Sequence, residues 1–278
     1  MKLPNVRNGD VELSLEVSGE GPTLLLLHGW PDTGALWRDM VPDLVASGYR
    51  AAVADLRGCG RSSKPADTAS YKMTQLVADV VSIIDALGEE PVTLIGHDWG
   101  AALAWAVATY LPERVHSLVA LSLGHPTSFY AAGIEQQVKS WYMLLFSQDD
   151  LGEAFLRKND YEAIRRWSGH PRAEEVIEEL ERDGQMSAHL RWYRANVPMN
   201  AFVVDPPIVS PLQVPALGIW SSGDPALTER QMKESGAYCA RGFTYVRLEG
   251  FGHWLPLEAP HAVSREILNF LGPEEDLS

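Results

Sequence analysis

A sharp turn between an apolar run and a small-residue segment constrains the fold most strongly. Residues 91–95 (PVTLI) predict a buried strand, and residues 101–110 have the composition of a tightly packed helix. The five residues between them are GHDWG. The two glycines of this motif, at 96 and 100, permit a strained turn and a close approach of the helix. The motif therefore places Asp98 at the apex of a strand–turn–helix element, with its side chain raised above the sheet edge.

The chemistry of Asp98 restricts the reactions that such an apex could perform. An aspartate is already ionised at neutral pH, so it needs no neighbouring base to become a nucleophile. Its attack on an amide would give a reactive anhydride, whereas its attack on a saturated carbon with a strained or good leaving group gives an ester. The motif therefore indicates ester formation with an epoxide or an alkyl halide.

Strand and helix patterns alternate up to residue 123, and the pattern returns from residue 216. The predicted strands cover residues 11–17, 24–27, 50–54, 92–95, 118–123, 216–220 and 243–248. The predicted helices of this pattern cover residues 35–46, 73–87, 101–110 and 262–271. This alternation predicts an α/β fold with a mostly parallel central sheet flanked by helices on both faces.

The alternation stops at residue 126 and resumes after a proline-rich connection. From there to about residue 204 the chain has helical patterns, many aromatic residues and no strong strand signal. Residues 173–182 predict an amphipathic helix with its charged face in water. We therefore expect a core domain formed by residues 1–125 and 208–278, and a helical cap, or lid, formed by residues 126–207 between the two halves of the sheet.

Two further polar residues follow predicted strands in a suggestive order. Asp224 comes just after the strand at 216–220, and His253 comes after the strand at 243–248. The carboxyl ends of parallel strands meet at one edge of a sheet, so both side chains should lie near Asp98. The order of nucleophile, acid and histidine predicts a catalytic triad, in which Asp224 orients His253.

A fourth element follows the predicted strand at 24–27. Residues 28–31 are HGWP, and a glycine beside an X–Pro turn can direct the backbone N–H of Trp30 toward the site. Together with the N–H of Trp99, it would form a two-donor oxyanion hole. We also expect a cis Trp30–Pro31 peptide, because cis bonds are largely confined to X–Pro in tight turns.

Composition excludes other classes of function. The formal net charge is -14, which disfavours binding to nucleic acid or to an anionic membrane. No apolar stretch approaches the roughly 18 residues that a spanning helix needs, and the N-terminus lacks the apolar segment of a secretion signal. The two cysteines, Cys59 and Cys239, fit neither a disulfide framework nor a metal site. We predict a cytoplasmic protein without metal or cofactor; its oligomeric state and physiological role stay open.

The motifs together resemble those of one protein family. HGWP (28–31), DLRGCGRSSKP (55–65), GHDWG (96–100), SGD (222–224) and GFGHW (250–254) resemble the motifs of the soluble epoxide hydrolase branch of the α/β-hydrolase family. The resemblance covers residues from about 9 to 271. It implies the α/β-hydrolase fold, and a hydrophobic epoxide and water as reactants.

The same resemblance implies two acids in the cap. In that family, two lid tyrosines donate hydrogen bonds to the epoxide oxygen and protonate it as the ring opens. The matching positions here are Tyr142, followed by Phe146, and Tyr193, followed by Arg194. One departure is Trp30, where many relatives have Phe, and its larger ring should narrow one wall of the pocket. Further residues are expected to line an apolar pocket: Trp30, Trp99, His125, Trp141, Met143 and Trp254.

Alternative functions stay open on the sequence alone. Haloalkane dehalogenases resemble this chain in their fold and aspartate nucleophile, and they commonly use a tryptophan beside the nucleophile to hold the halide, a position that Trp99 occupies. Against them stand Trp30, where many have Asn, and the two lid tyrosines. Fluoroacetate-type dehalogenases would be expected to have Arg in place of Trp99, and serine esterases would need a serine in place of Asp98. A non-catalytic receptor is disfavoured because all three triad residues are present.

Overall fold

A seven-stranded sheet forms the centre of the protein. The computed structural model describes residues 5–88, 90–205 and 209–272. In the sheet the strand order is β3-β5-β4-β6-β7-β8-β9, and every neighbouring pair except the antiparallel β3–β5 is parallel. β1 and β2 form a separate hairpin. The strands are β1 Val6–Asn8, β2 Val11–Leu13, β3 Leu15–Ser18, β4 Thr23–Leu27, β5 Arg50–Ala54, β6 Val92–His97, β7 Val115–Leu121, β8 Ala216–Ser221 and β9 Phe243–Leu248.

Helices cover both faces of this sheet, which confirms the predicted fold class. Alternating strand residues point to opposite faces: Leu25 and Leu27 of β4 pack in the core beneath α2 and α3, whereas Leu24 and Leu26 pack in the core beneath α1 and α12. The helices of the first and last parts of the chain are α1 Val41–Ala46, α2 Met73–Leu87, α3 Trp99–Tyr110, α10 Glu229–Lys233, α11 Leu255–Glu258 and α12 Pro260–Leu271.

The strand order places a crevice above β4 and β6. The chain passes from β4 to β5 on one side and then crosses back to β6 on the other side of β4. The loops that follow β4 and β6 therefore run in opposite directions and leave a crevice between them. Such a crevice is a topological switch point, where α/β sheets bind ligands. The segments after these strands are the HGWP and GHDWG motifs.

Two predicted elements are split in the structure. The strand expected at 11–17 forms β2 and β3, because the backbone of Ser14 bonds to the loop after β5: its N–H donates to Ser62 Oγ (2.9 Å) and its carbonyl accepts from the N–H of Asp55 (3.0 Å). The helix expected at 35–46 forms a 3₁₀ turn, Gly34–Trp37, and then α1. Pro42 in the first turn of α1 fits this break, since proline is favoured at a helix start and disrupts a helix interior.

A group of helices lies between β7 and β8, as predicted. These are α4 Pro126–Ala131, α5 Ile134–Lys139, α6 Trp141–Phe146, α7 Leu151–Glu162, the π-helical turn Ala163–Trp167, α8 Ala173–Leu180 and α9 Gln185–Asn196. In α8 the apolar side chains are buried and most of the glutamates exposed, as the amphipathic pattern predicts. The division into core and cap stays a prediction, and its second boundary, at 207/208, lies outside the described residues. None of the helices in the described ranges has both the length and the apolar character needed to span a bilayer.

Candidate active site

Asp98 lies at the turn between β6 and α3. Its φ of 53° and ψ of -121° are far from the regions that non-glycine residues prefer, so the surrounding structure must hold it there. Two glycines, Gly100 in this turn and Gly29 in the loop after β4, make the close packing around Asp98 possible. A Cβ on Gly100 would come within 2.0 Å of the carbonyl oxygen of Leu27, and a Cβ on Gly29 within 2.5 Å of Asp98 Cβ. The predicted strained turn is therefore present, and it fixes the carboxylate against the end of β4.

Backbone N–H groups contact the Asp98 carboxylate. The N–H of Trp30 donates to Asp98 Oδ1 at 2.9 Å, and the backbone N–H of Trp99 also favours the charge of this carboxylate. The Trp30–Pro31 peptide is cis, as predicted. Burial raises the pKa of Asp98 above its ordinary value, while His253 and these two N–H groups act in the opposite direction. Both N–H groups therefore favour negative charge on the Asp98 carboxylate.

His253 and Asp224 lie together at the ends of β9 and β8. His253 Nδ1 donates to Asp224 Oδ2 at 2.9 Å, while Asp224 Oδ1 accepts from the N–H groups of Ala226 and Leu227, both at 2.8 Å. This arrangement leaves His253 Nε2 facing Asp98, 3.7 Å from Asp98 Oδ2. Burial lowers the pKa of His253, but the carboxylates of Asp224 and Asp98 outweigh it and raise this pKa to about 9.

Two polar side chains fix the backbone at His253. Ser122 Oγ and His97 Nε2 both donate to the carbonyl oxygen of His253, each at 2.9 Å. Burial and the nearby His253 lower the pKa of His97 to about 3, so this imidazole is neutral at physiological pH. His97 therefore supports the loop, as its place in the turn suggests. Ser122, with φ 67° directly after β7, was not among the predicted site residues.

Tyr142 on α6 and Tyr193 on α9 are buried above Asp98. Their ring centroids are 6.2 Å apart at an angle of 69°. Burial and the charge of Asp98 raise the pKa of both phenols above the usual range; Asp224 adds to this effect at Tyr142, and Tyr142 itself adds to it at Tyr193. Both groups are therefore protonated at neutral pH and can donate hydrogen bonds.

Two cavities meet at Asp98 and Tyr142, which line both of them. The larger has a volume of about 300 Å³ and the smaller about 40 Å³. The larger is mostly apolar, and its walls include Trp99, Trp105, His125, Phe129, Met143 and Tyr193. The walls of the smaller include Trp30, Lys139, Trp167, Ser168, His253 and Trp254. A reactant reaching Asp98 would therefore have space on both sides of the carboxylate.

A third, still larger cleft lies away from this carboxylate. Its volume is about 560 Å³, and charged side chains such as Arg61, Arg172 and Glu179 line it. Neither Asp98 nor His253 is part of its wall. Cleft size alone is therefore a poor guide to the site in this protein.

Known proteins match the chain over most of its length. The family model described as the alpha/beta hydrolase fold matches residues 22–260. The AB hydrolase superfamily protein YfhM of Bacillus subtilis is 32% identical, over 98% of this chain and 98% of its own. The chain belongs to the α/β-hydrolase family.

Two further matches show to which branch of the α/β-hydrolase family the chain belongs. Epoxide hydrolase 4 of Mus musculus is 30% identical, over 91% of this chain and 74% of the mouse protein. A solved structure described as a novel epoxide hydrolase from metagenomes of hot environments has a TM-score of 0.87 and 26% identity, covering 98% of both chains. These matches confirm the predicted epoxide hydrolase branch, and the chain is a hydrolase.

One residue predicted to line the pocket lies outside both cavities at Asp98 in this hydrolase. Trp141 is 44% exposed, its ring packs against Phe155 and Trp167, and it lines a groove on the outer surface instead of either cavity at Asp98. The reason is helical geometry. Successive residues of an α-helix point about 100° apart, so Trp141 points about 160° away from Met143; because Tyr142 and Met143 both face the larger cavity, Trp141 points to the surface.

The other predicted wall residues border the two cavities. His125 also caps α4, because its Nδ1 accepts from the N–H of Thr127 at 3.2 Å, and its ring stacks on Tyr238. Burial lowers the pKa of His125 to about 4, which keeps the ring neutral. Its structural role and its place in the wall are therefore compatible.

The sequence did not reveal the part that Asp32 plays in the hydrolase. Its buried carboxylate accepts from Trp254 Nε1 at 3.1 Å and from His170 Nε2 at 3.2 Å. Since the N–H of Arg172 donates to His170 Nδ1, it is Nε2 of this ring that carries the proton. Burial raises the pKa of Asp32, but the hydrogen bond from His170 outweighs this and lowers it. Asp32 thus links the loop of Trp30, the loop of His253 and the segment between the π-helical turn and α8.

Proposed function

We propose that this hydrolase converts a hydrophobic epoxide to a vicinal diol through a covalent ester on Asp98. One observation carries the proposal: the Asp98 carboxylate lies between two buried phenols and a buried histidine–carboxylate pair. The epoxide hydrolase relatives support the choice of substrate. The reactants are an epoxide and water, and no cofactor takes part in the proposed steps.

In the first step, Asp98 would open the epoxide ring. One carboxylate oxygen forms a bond to an epoxide carbon while the bond from that carbon to the ring oxygen breaks. The leaving oxygen takes a proton from Tyr142 or Tyr193, whose phenols are protonated at neutral pH. The product of this step is a hydroxyalkyl ester of Asp98.

In the second step, water would hydrolyse the ester. His253 removes a proton from the water as the water oxygen attacks the carbonyl carbon of the ester, and the N–H groups of Trp30 and Trp99 hold the oxyanion. Collapse of the tetrahedral intermediate breaks the bond between the carbonyl carbon and the alkoxy oxygen, which receives the proton from His253 as the diol leaves. The second proton of the water, left on the Asp98 carboxyl group, returns to the tyrosine that protonated the ring oxygen. Esterification also removes the charge of Asp98, one of the charges that raise the pKa of His253, so the imidazole becomes easier to deprotonate when a base is needed.

The two tyrosines give the first prediction. Tyr142→Phe and Tyr193→Phe should each slow ester formation about 10²-fold, and the double variant about 10⁴-fold, because the leaving oxygen loses its proton donors. Rapid quenching followed by intact-mass measurement gives the rate of ester formation. Tyr130→Phe is the matched control, since Tyr130 lines the larger cavity without being assigned as an acid, and its rate should stay within about twofold of wild type. Wild-type ester formation in the double variant would contradict the assignment.

A product assay tests the function itself against its nearest rival. Styrene oxide-like and aliphatic epoxides are incubated with the protein beside bromoalkanes, and diol and free halide are measured. Diol without halide supports the proposal, halide without diol supports a haloalkane dehalogenase, and neither product supports a non-catalytic receptor. The two buried phenols beside Asp98 favour the first outcome, because they can donate to an epoxide oxygen. The cytoplasmic location stays a prediction.

A further inference from the structure

The two cavities at Asp98 differ strongly in size. Six residues of α3 line the larger one at helical spacing: Trp99, Ala102, Trp105, Ala106, Thr109 and Tyr110. At 1.5 Å per residue this face extends about 16 Å from the turn at Asp98. Tyr110, at the far end, is 65% exposed, so the cavity reaches solvent there. The larger cavity therefore has the dimensions of a channel for a long apolar group.

The smaller cavity has room for only a few atoms. Its volume of about 40 Å³ corresponds to roughly one to three water molecules, and His253 is part of its wall. The hydrolytic water of the second step must approach His253, so this space must also admit that water. A large substituent placed here would compete with the water for the same volume.

Most walls of the smaller cavity are held in place. Trp254 is 4% exposed and its indole N–H is bonded to Asp32, while Trp30 is 7% exposed and packs on Phe146 with ring centroids 4.9 Å apart. Widening the cavity at either ring would require repacking of a dense interior. Trp167 is different, because it is 37% exposed and lies at the surface of the predicted cap. Its ring is the wall that can be shortened at the least cost.

We propose that the preferred substrates are epoxides with one long apolar substituent, whose second ring carbon has only hydrogens or a methyl group. The long substituent occupies the larger cavity and the second ring carbon faces the smaller one. This inference rests on the proposed function and names its substrate class. Trp167 then sets the upper limit on the group that the second carbon can have.

Three isomers of epoxyoctane test the inference without changing composition. The 1,2-isomer has a hexyl group on one carbon, the 2,3-isomer has pentyl and methyl groups, and the 4,5-isomer has two propyl groups. We expect kcat/KM for the trans 2,3-isomer to lie within about tenfold of that for the 1,2-isomer, and that for the trans 4,5-isomer to be at least about 100-fold lower, since hydrophobic pockets discriminate by about 10 to 200-fold per methylene. Equal kcat/KM values for the terminal and the 4,5-isomer would overturn the inference and leave the proposed function intact.

A substitution of Trp167, with a matched control, tests whether the smaller cavity limits the group on the second ring carbon. Trp167→Ala should raise kcat/KM for the 4,5-isomer relative to the 1,2-isomer at least about tenfold. The ratio cancels effects common to both substrates, including any disturbance of Tyr142, on which the Trp167 ring packs. Trp141→Ala is the matched control, because it removes a neighbouring ring of the same aromatic group that lines neither cavity at Asp98, and its ratio should stay at the wild-type value.

A substitution in the wall of the larger cavity tests whether the long substituent lies there. Ala106→Phe should lower kcat/KM for the hexyl-substituted epoxide, the 1,2-isomer, relative to propylene oxide at least about tenfold, because the added ring fills space that only the long substituent needs. This variant also keeps the inference testable if Trp167→Ala fails to fold. An unchanged ratio in the folded Ala106→Phe protein would overturn the placement of the long group. Conversion of none of these epoxides by the wild type would contradict the proposed function itself.

Discussion

Replacing Asp98 by Asn should abolish diol formation, with kcat/KM falling at least about 10⁴-fold, which is the scale of losses when a covalent nucleophile is removed. The amide keeps the shape of the side chain and an oxygen that can accept the N–H of Trp30, so the turn should still form. What it loses is the anionic oxygen that attacks carbon. The measurement is diol production from an epoxide that the wild type converts, with circular dichroism to verify the fold.

A matched substitution distinguishes chemistry from a general effect of lost charge. Asp85→Asn makes the same change on α2, at a side chain that is 59% exposed, and it should alter activity by less than about twofold. Wild-type turnover by the Asp98→Asn protein would remove the basis of the proposed mechanism.

Isotope labelling tests the same bond directly in the wild-type protein. In a single turnover in heavy-oxygen water, the water oxygen remains on Asp98, because the alkoxy oxygen that leaves with the diol comes from the original carboxylate. The peptide that contains Asp98 should therefore gain the label while the first diol stays unlabelled. Label in the first diol and none in the peptide would indicate direct attack of water on the epoxide.

Local motifs allowed most of the core of the site to be predicted. The turn at Asp98, the cis Trp30–Pro31 bond and the loops of Asp224 and His253 each depend on a few neighbouring residues, and parallel strands bring their carboxyl ends to one edge. The strands before Trp30, Asp98 and Asp224 are largely apolar and buried, so the sequence predicted their positions closely. Local geometry and the sheet together determine where these groups lie, so the sequence alone predicts their positions.

Contacts between distant segments could not be predicted in this way. The bond between His170 and Asp32 joins residues 138 apart in the chain, and no local pattern pairs them. The same limit applies to Trp141, since only the packing of α6 on its neighbours decides which of two adjacent aromatic rings points inward. Cavity volumes likewise result from the packing of many elements, so the unequal spaces beside Asp98 have no signature in the sequence.

His253→Gln should trap the ester on the protein. Asp98 needs no base to attack an epoxide, so ester formation should continue, whereas glutamine cannot remove a proton from water and hydrolysis should slow at least about 10³-fold. His97 cannot substitute, because its Nε2 is bonded to the backbone of His253 and its pKa is about 3. Intact-mass measurement after mixing with an epoxide should show one adduct of the substrate's mass per chain.

The trapped ester also distinguishes the two halves of the mechanism. His261→Gln is the matched control, as this histidine is 82% exposed on α12, and it should give normal turnover and no adduct. In His253→Gln the adduct should map to the peptide that contains Asp98 and disappear in the double variant with Asp98→Asn. Because the phenols act only in ring opening, adding Tyr142→Phe and Tyr193→Phe to His253→Gln should slow the appearance of the adduct without changing its stability. Turnover at the wild-type rate with no adduct would show that His253 is not the base of the second step.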